Sequence, residues 1–409
     1  MSEWKKVKLK DCCIKIGSGS TPKGGSMVYV NSGTSLIRSQ NVYNLSFDYN
    51  GLTHITENAA NKLKGVTVFN EDILLNITGD SVARTCIVPK EVLPARVNQH
   101  VAIIRTDRKK MNWRFLNYYL ASPKMQAHML SLAVGKGASR NAITKQMIEN
   151  FEVPYPPLST QHRIATILSR YDSLIENYQK QIKLLEEAAQ RLYKEWFVDL
   201  HFPGHENTNI VDGVPEGWKK KKISDVCETV GGGTPSTKVP AYYKGGRIKW
   251  VTPTDITRNN CIYLLDTDKK ITEEGLRNSS TKMVPAGTIL MTSRASVGYF
   301  GIADFEVCTN QGFISCIPIP NMQMYLLFNL MSRVDEIRQK AGGSTYLEIS
   351  KSVFRNFDIV CPSEIILLQF QDKASLVLKK EKTLSLQLRL LTEARDRLLP
   401  KLMSGEITV

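Results

Sequence analysis

The chain begins twice. Residues 2–22, SEWKKVKLKDCCIKIGSGSTP, return at 216–235 as EGWKKKKISDVCETVGGGTP, and Trp4, Asp11, Gly17 and Gly19 are answered by Trp218, Asp225, Gly231 and Gly233, each 214 residues on. An internal repeat constrains a fold more tightly than composition does, because two copies of one pattern make two copies of one structure. The match runs on. LIRSQNV (36–42) pairs with WVTPTDI (250–256), DILLNITGDSVAR (72–84) with TILMTSRASVG (288–298), VNQHVAIIR (97–105) with TNQGFISCI (309–317), and ITKQMIENFEVP (143–154) with ISKSVFRNFDIV (349–360). The offset drifts from 214 to 206 along the way, as insertions and deletions in loops require.

Each copy closes on a helical stretch. QIKLLEEAAQRLYKEW (181–196) aligns without a gap on QLRLLTEARDRLLPKL (387–402), with seven of sixteen positions identical. In the first, Tyr171, Ile175, Tyr178, Ile182, Leu185, Ala189, Leu192 and Trp196 recur at alternating spacings of four and three, the seam of a coiled coil. Val377, Leu384, Leu388, Leu391, Leu398 and Leu402 hold the same register in the second, interrupted by Glu381 and Arg395. Pro400 is expected to bend or end that helix about a turn early. Ser159 and Ser363, in PPLST and PSE, are the expected caps. Packing the two helices antiparallel on each other buries both seams. The predicted fold class is therefore α+β: two similar mixed α/β domains separated by two long antiparallel coiled-coil helices, with an internal pseudo-twofold repeat. The boundaries are a domain over 1–157, a helical spacer and linker over 158–213, a second domain over 214–362 and a second spacer over 363–409.

Within the domains, VTVF and ILLNI flanking Asn70–Asp72 read as a hairpin, VAIIR as a strand, and residues 112–133 as a helix with an apolar face. The glycine-rich stretches at 17–25, 231–233 and 342–343 mark loops. Trp4 and Trp218 are expected to pack in the core or on the helices.

Lys and Arg outnumber Asp and Glu by 54 to 39, a formal charge of +15 that attracts polyanions, nucleic acid first among them. No stretch approaches the roughly 18 unbroken apolar residues of a membrane span, and the N-terminus lacks the apolar core of a signal peptide, so a soluble, cytoplasmic chain with no membrane partner is expected. The eight cysteines form no CxxC pair and read as buried free thiols. His201 and His205 flank FPG, which no helix carries, so they do not form a helical metal motif.

Taken together, the two basic repeats, the PEGW opening of the second copy, the G-x-TP turn in both and the closing LLPKLMSGEI resemble the specificity (S) subunits of type I restriction-modification systems, over essentially the whole chain. That resemblance implies two target-recognition domains, each reading half of a bipartite site on double-stranded DNA. It implies helices that set the spacing between half-sites and dock two methyltransferase (M) subunits and the restriction (R) subunits. The chain itself then binds no cofactor and performs no catalysis. S-adenosylmethionine, for adenine-N6 methylation, and ATP and Mg²⁺ belong to the partners. Two half-sites and two identical partners also explain why the chain restarts, and they predict that SEWKKV lies beside the end of the last helix just as EGWKKK follows the first.

Base reading needs paired donors and acceptors, whereas phosphate contacts need only charge or a hydroxyl. Candidates come from polar loops that differ between the copies: Thr21, Lys23, Arg38, Ser39, Gln40, Asn41, Arg84, Lys136, Arg140 and Asn141 in the first, and Thr234, Lys238, Tyr242, Thr252, Thr254, Arg294, Ser296, Ser344, Thr345 and Tyr346 in the second. Asn98–Gln99 and Asn310–Gln311, present in both, are expected to satisfy backbone groups of the shared fold.

No N-P-P-Y methylation motif occurs, VPYPPLS (153–159) having no Asn before its prolines, and VGKGAS (134–139) has the wrong order for a P-loop. The enzymatic alternative is a nuclease in which Asp255 and Asp268 hold Mg²⁺ and Lys270 assists water, although Asn41 replaces Asp255 in the first copy. A stand-alone DNA-binding regulator is the non-enzymatic alternative.

Overall fold

The computed structural model describes residues 4–134, 142–259, 261–343 and 346–409. It forms two compact units, Met1–Ile175 with Leu391–Val409, and Glu176–Leu390. Both boundaries fall inside long helices, Leu158–Tyr193 and Glu364–Ser404, so each helix continues from one unit into the other.

In the first unit a four-stranded antiparallel sheet runs in the order Thr85–Ile87, Ile73–Asn76, Val101–Thr106, Cys13–Ser18. A second sheet, of five strands, runs Tyr29–Val30, Thr53–Ile55, Thr34–Ile37, Ala95–Val97, Thr67–Val68, with Thr34–Ile37 and Ala95–Val97 parallel. Ile73–Asn76 is apolar on both faces because it is covered on both. Ile73 and Leu75 join the helical core with Phe115, Leu116 and Ile164, while Leu74 joins Ile37, Val68 and Val97 between the sheets.

The second unit repeats this plan. Cys227–Gly231, Phe313–Pro318, Ile289–Thr292 and Phe300–Ala303 form the matching antiparallel sheet, extended by Tyr263–Leu264, and Ile248–Val251 pairs parallel with Val307–Thr309 in the other. Ile289 and Met291 face the helices and Leu290 faces the second sheet, so the alternation is the same. In both units the opening strand pairs with the strand that leads into a long helix: Lys6–Lys8 with Glu152–Pro154, and Lys219–Lys222 with Asp358–Cys361.

The constant spacing of 214 does not hold through the first strand. Thr106 pairs with Cys13 but Arg105 pairs with Lys15, a β-bulge at the exposed Ile14, whereas Cys227 and Glu228 pair with Pro318 and Ile317 without one. Beyond the bulge, Gly19 therefore corresponds to Gly232 rather than Gly233. Both must be glycine: a Cβ would stand 2.1 Å from the Val97 carbonyl oxygen in one and 1.9 Å from that of Asn310 in the other.

Two other expectations are corrected. Thr67–Val68 and Ile73–Asn76 are not a hairpin but strands of different sheets, joined by a turn in which Asp72 Oδ2 accepts from Phe69 N at 2.7 Å. Residues 112–133 form two helices, Trp113–Ala121 and Pro123–Ala133. The first is capped by Asn112 Oδ1, which accepts from Phe115 N at 3.0 Å, and Pro123, lacking an N–H, starts the second.

The two long helices pair antiparallel within each unit. In the first, Arg395 Nη1 donates to Asp172 at 3.0 Å, Tyr118 Oη donates to the same carboxylate, and Leu399 and Leu402 share a core with Ile164 and Leu168. In the second, Glu381 meets Glu186, and Phe370 packs on Tyr193, Trp196 and Phe197. Every residue of the first seam is buried or half-buried: Tyr171, Ile175, Tyr178, Ile182, Leu185, Leu192 and Trp196. So are Leu384, Leu388, Leu391, Leu398 and Leu402 of the second. Glu381 and Arg395 are not gaps in that seam but inward-facing polar members of it. Trp4 packs on Phe115 and lies against Gly405, which puts the chain's start beside the last helix's end, and Trp218 packs on Phe197 and Phe202.

Pro400 does not end its helix early. The helix runs to Ser404 because Leu399, Leu402 and Met403 are buried on either side of the proline, and their burial outweighs the lost hydrogen bond. Pro400→Ala restores that bond at an exposed site and is expected to stabilise the first unit by about 1–3 kcal/mol in urea unfolding; an unchanged or lower midpoint would contradict this. Ser363 immediately precedes its helix, but Ser159 lies one residue inside the first, which starts at Leu158.

Candidate nucleic-acid interface

In each unit four segments are tied together at the ends of the parallel strand pair. In the first unit Asn98 N donates to Ile37 O at 3.1 Å, Ile77 N to His100 O at 3.0 Å, and Ile143 N to Ile77 O at 2.8 Å, with Thr78 bridging Ala142. In the second, Asn310 N donates to Val251 O at 2.9 Å, Ser293 N to Gly312 O at 2.8 Å, and Ile349 N to Ser293 O at 3.0 Å, with Arg294 bridging Glu348. The two constructions are equivalent bond for bond.

Asn98 and Asn310 are the fasteners expected of them. Their side-chain oxygens accept from His100 N at 3.1 Å and Gly312 N at 2.9 Å. Asn41 and Asp255 do a second shared job: Asn41 Oδ1 accepts from Arg38 N at 3.0 Å and Asp255 Oδ2 from Thr252 N at 2.7 Å. Asn41 is fully buried and donates its amide to Asp48 and Asn50 carbonyls, so it builds the loop and offers nothing to a ligand. Asp255 also accepts from Thr252 Oγ1 and from Asp268 N, which makes it a loop brace. Among the described residues, no group of three His, Cys, Asp or Glu side chains is placed to hold a metal ion.

In the first unit these segments surround a cleft of about 530 Å³ lined by Ser39, Gln40, Tyr43, Thr78, Gly79, Asp80, Ser81, Arg84, His100 and Ala142. Three sequence-predicted residues, Ser39, Gln40 and Arg84, meet there. Arg84 lies with its guanidinium 4.6 Å from the centre of the Tyr43 ring. Arg38 is half-buried, its Nη2 donating to Gly51 O at 2.7 Å. Thr21 and Lys23 are exposed on the loop after Gly19. Lys136, Arg140 and Asn141 lie outside the described residues.

In the second unit Thr252, Thr254, Arg294, Ser296 and Tyr346 belong to the equivalent segments, and all but the half-buried Thr252 are exposed. Arg294 is held by Glu348 at 3.5 Å. Thr234 and Lys238 are exposed; Tyr242 packs instead on Gly275, and its carbonyl accepts from Thr272 N. Ser344 and Thr345 lie outside the described residues.

Tyr43, Thr78, Asp80 and His100 also line the cleft and are not among the residues the comparison of copies singles out. His100 carried a signal, since NQH in one copy stands where the other has NQG. Tyr43 carried none, because nothing local ties it to Arg84.

The described helices include none long and apolar enough to cross a membrane. All eight cysteines are free, and seven are buried, with Cys13 half-buried.

Residues 1–187 and 215–375 match the family described as "Type I restriction modification DNA specificity domain". The type I restriction enzyme HindI specificity subunit of Haemophilus influenzae is 23% identical over 474 aligned positions that cover all of both chains. The MjaIX specificity subunit of Methanocaldococcus jannaschii is 39% identical over 153 residues, 37% of this chain and 35% of that one. The crystal structure of the type I restriction-modification S subunit from M. genitalium has the same fold, with a TM-score of 0.65 at 16% identity over 98% of this chain and 96% of that one. With the family pattern matched in both copies and the fold built twice, the chain belongs to the type I restriction modification DNA specificity family.

Proposed function

We infer that the chain is the DNA-recognition component of a type I restriction-modification system and that each unit reads one half of a bipartite site. The observation that carries this is the pair of equivalent loop assemblies, identical in their backbone bonds and different in the side chains they present. A shared frame with unlike side chains is what two unlike half-sites demand. The net charge of +15 supplies the attraction for phosphates.

The recognition modules are residues 1–157 and 214–362, with helical spacers over 158–213 and 363–409. The chain contributes no catalysis. Two methyltransferase subunits dock on its helices and bring S-adenosylmethionine, and restriction subunits bring ATP and Mg²⁺. Support for two like docking surfaces comes from Leu184 and Leu390, the same position of the helical repeat, which are 53% and 61% exposed.

Affinity for a duplex carrying the target should fall roughly 10³-fold or more between 50 and 200 mM salt, with log K linear in log salt; a flat response would contradict a phosphate-gripping surface. Co-purification with the methyltransferase should yield two of its subunits per chain, and a ratio of one would remove the repeat's proposed purpose.

A further inference from the structure

We propose that Arg84, stacked on Tyr43, reads a guanine in the half-site taken by the first unit. This rests on the DNA-recognition reading above and assigns it a residue and a base. Arg84 opens no ion pair and no side-chain hydrogen bond among the described residues, so its guanidinium donors are unspent. Its position is nevertheless fixed. Arg84 N donates to Ser81 O at 3.2 Å and its carbonyl accepts from Asn76 N at 2.8 Å, while Ala83 before it holds a left-handed φ of 74°. The Arg84 guanidinium then lies over the Tyr43 ring, 4.6 Å from ring centre to Cζ.

A planar fork held on an aromatic face matches the O6 and N7 acceptors of guanine, the commonest base-specific contact in the major groove. A phosphate is the competing ligand, and the cleft is poorly suited to it. Asp80, on the same loop and exposed, places a carboxylate at the rim that repels a phosphate and tolerates a base edge. Thr78 and His100, bonded to each other at 2.6 Å, add polar groups, and among the described residues of the lining Arg84 is the one fixed cation.

In the second unit the same position is Tyr299, whose carbonyl accepts from Thr292 N at 2.9 Å as the Arg84 carbonyl does from Asn76 N, so no guanidinium stands there. Arg294, in the place of Thr78, faces Glu348 at 3.5 Å, and Gly312 stands where the first unit has His100. The two halves thus carry different chemistry on one frame.

The test is selection of bound duplexes from a randomised pool by the full chain, by Arg84→Lys, which keeps the charge and loses the fork, and by Tyr43→Leu, which removes the platform. The native chain should enrich two sequence blocks. Arg84→Lys should keep one block intact and relax a single G·C position in the other by about tenfold or more, with binding to random DNA nearly unchanged. Tyr43→Leu should relax that same position and no other, the mark of a positioning residue. Uniform weakening across all sequences in Arg84→Lys would make Arg84 a phosphate contact and overturn the proposal, as would an unchanged selection. Failure of the native chain to enrich any sequence would instead sink the reading on which the proposal rests. Melting curves of both variants matching the native chain's keep a folding defect from imitating either result.

Discussion

Removing one matched heptad from the paired helices, residues 176–182 together with 385–391, should leave both half-site sequences as they are and shorten the preferred gap between them. The deletion is matched because the helices run antiparallel in a constant register: Asp172 meets Arg395 and Glu186 meets Glu381, and in both pairs the residue numbers sum to 567. The removed segments lie between those two pairs and obey the same sum, so neither pair loses its partner. A heptad keeps the apolar seam in phase, and at 1.5 Å per residue it takes about 10 Å of helix from the stretch that links the units. DNA rises about 3.4 Å per base pair, so the preferred gap should shrink by up to about three base pairs. The original site should then lose on the order of a hundredfold in affinity, since one half is always out of reach. Deleting only one of the two segments breaks the register and should cost stability instead. If the matched deletion still prefers the original gap, the helices do not set it.

The second large effect is a pH dependence placed at one carboxyl. Glu381 is fully buried on the second helix; its Oε1 accepts from Ile262 N at 2.8 Å and its neighbour across the seam is Glu186. Burial first, and then the Glu186 carboxylate, push Glu381 up to about 8 from an ordinary 4.5, and burial raises Glu186 as well. The other titratable groups that face the pair, Cys261 and Tyr263, are themselves pushed up by burial to about 11 and about 12, so they are neutral through this range. The folded unit therefore prefers Glu381 protonated, while the unfolded chain ionises it above about 4.5. Stability is full below that value and is lost as pH rises through about 8, on the order of 3 kcal/mol between pH 5 and pH 9. Glu381→Gln should be nearly neutral at pH 5 and stabilising at pH 9, because the amide oxygen still accepts from Ile262 N and carries no charge. Glu381→Ala should destabilise at both, by about 2–3 kcal/mol, through a cavity and an orphaned N–H. Urea unfolding at the two pH values checks this, and an unaltered pH slope in Glu381→Gln would refute it.

The architecture was legible because it is written twice. Each match between the copies is independent evidence for a fold unit, and the seams from Tyr171 to Trp196 and from Val377 to Leu402 mark the two long helices directly. The differences between sequence and structure are of one kind. A sequence window shows apolar periodicity but not which partner an apolar face meets, so Thr67–Val68 and Ile73–Asn76 read as a hairpin although they enter different sheets. Glu381 and Arg395 read as interruptions because their partners, Glu186 and Asp172, lie far away in the chain; Arg395 and Asp172 are 223 residues apart. Pro400 reads as a helix end because its local cost is visible in the sequence, whereas the burial of Leu399 and Leu402 that outweighs it is not.

For the candidate interface, the sequence shows which loops come together rather than which residues do. Comparing copies picked out Ser39, Gln40 and Arg84, which do meet in one cleft, but it also picked Asn41, which is spent on its own loop. Tyr43 escapes because its contact is with Arg84, 41 residues on.

Two like modules that each take their own short stretch of duplex should leave a mark in the host genome, read by mapping methylated adenines with this gene present and deleted. The expected map is a motif of two unlike blocks separated by a gap of fixed length, with its methylation lost on deletion. A single uninterrupted motif, or methylation that survives deletion of the gene, would contradict it.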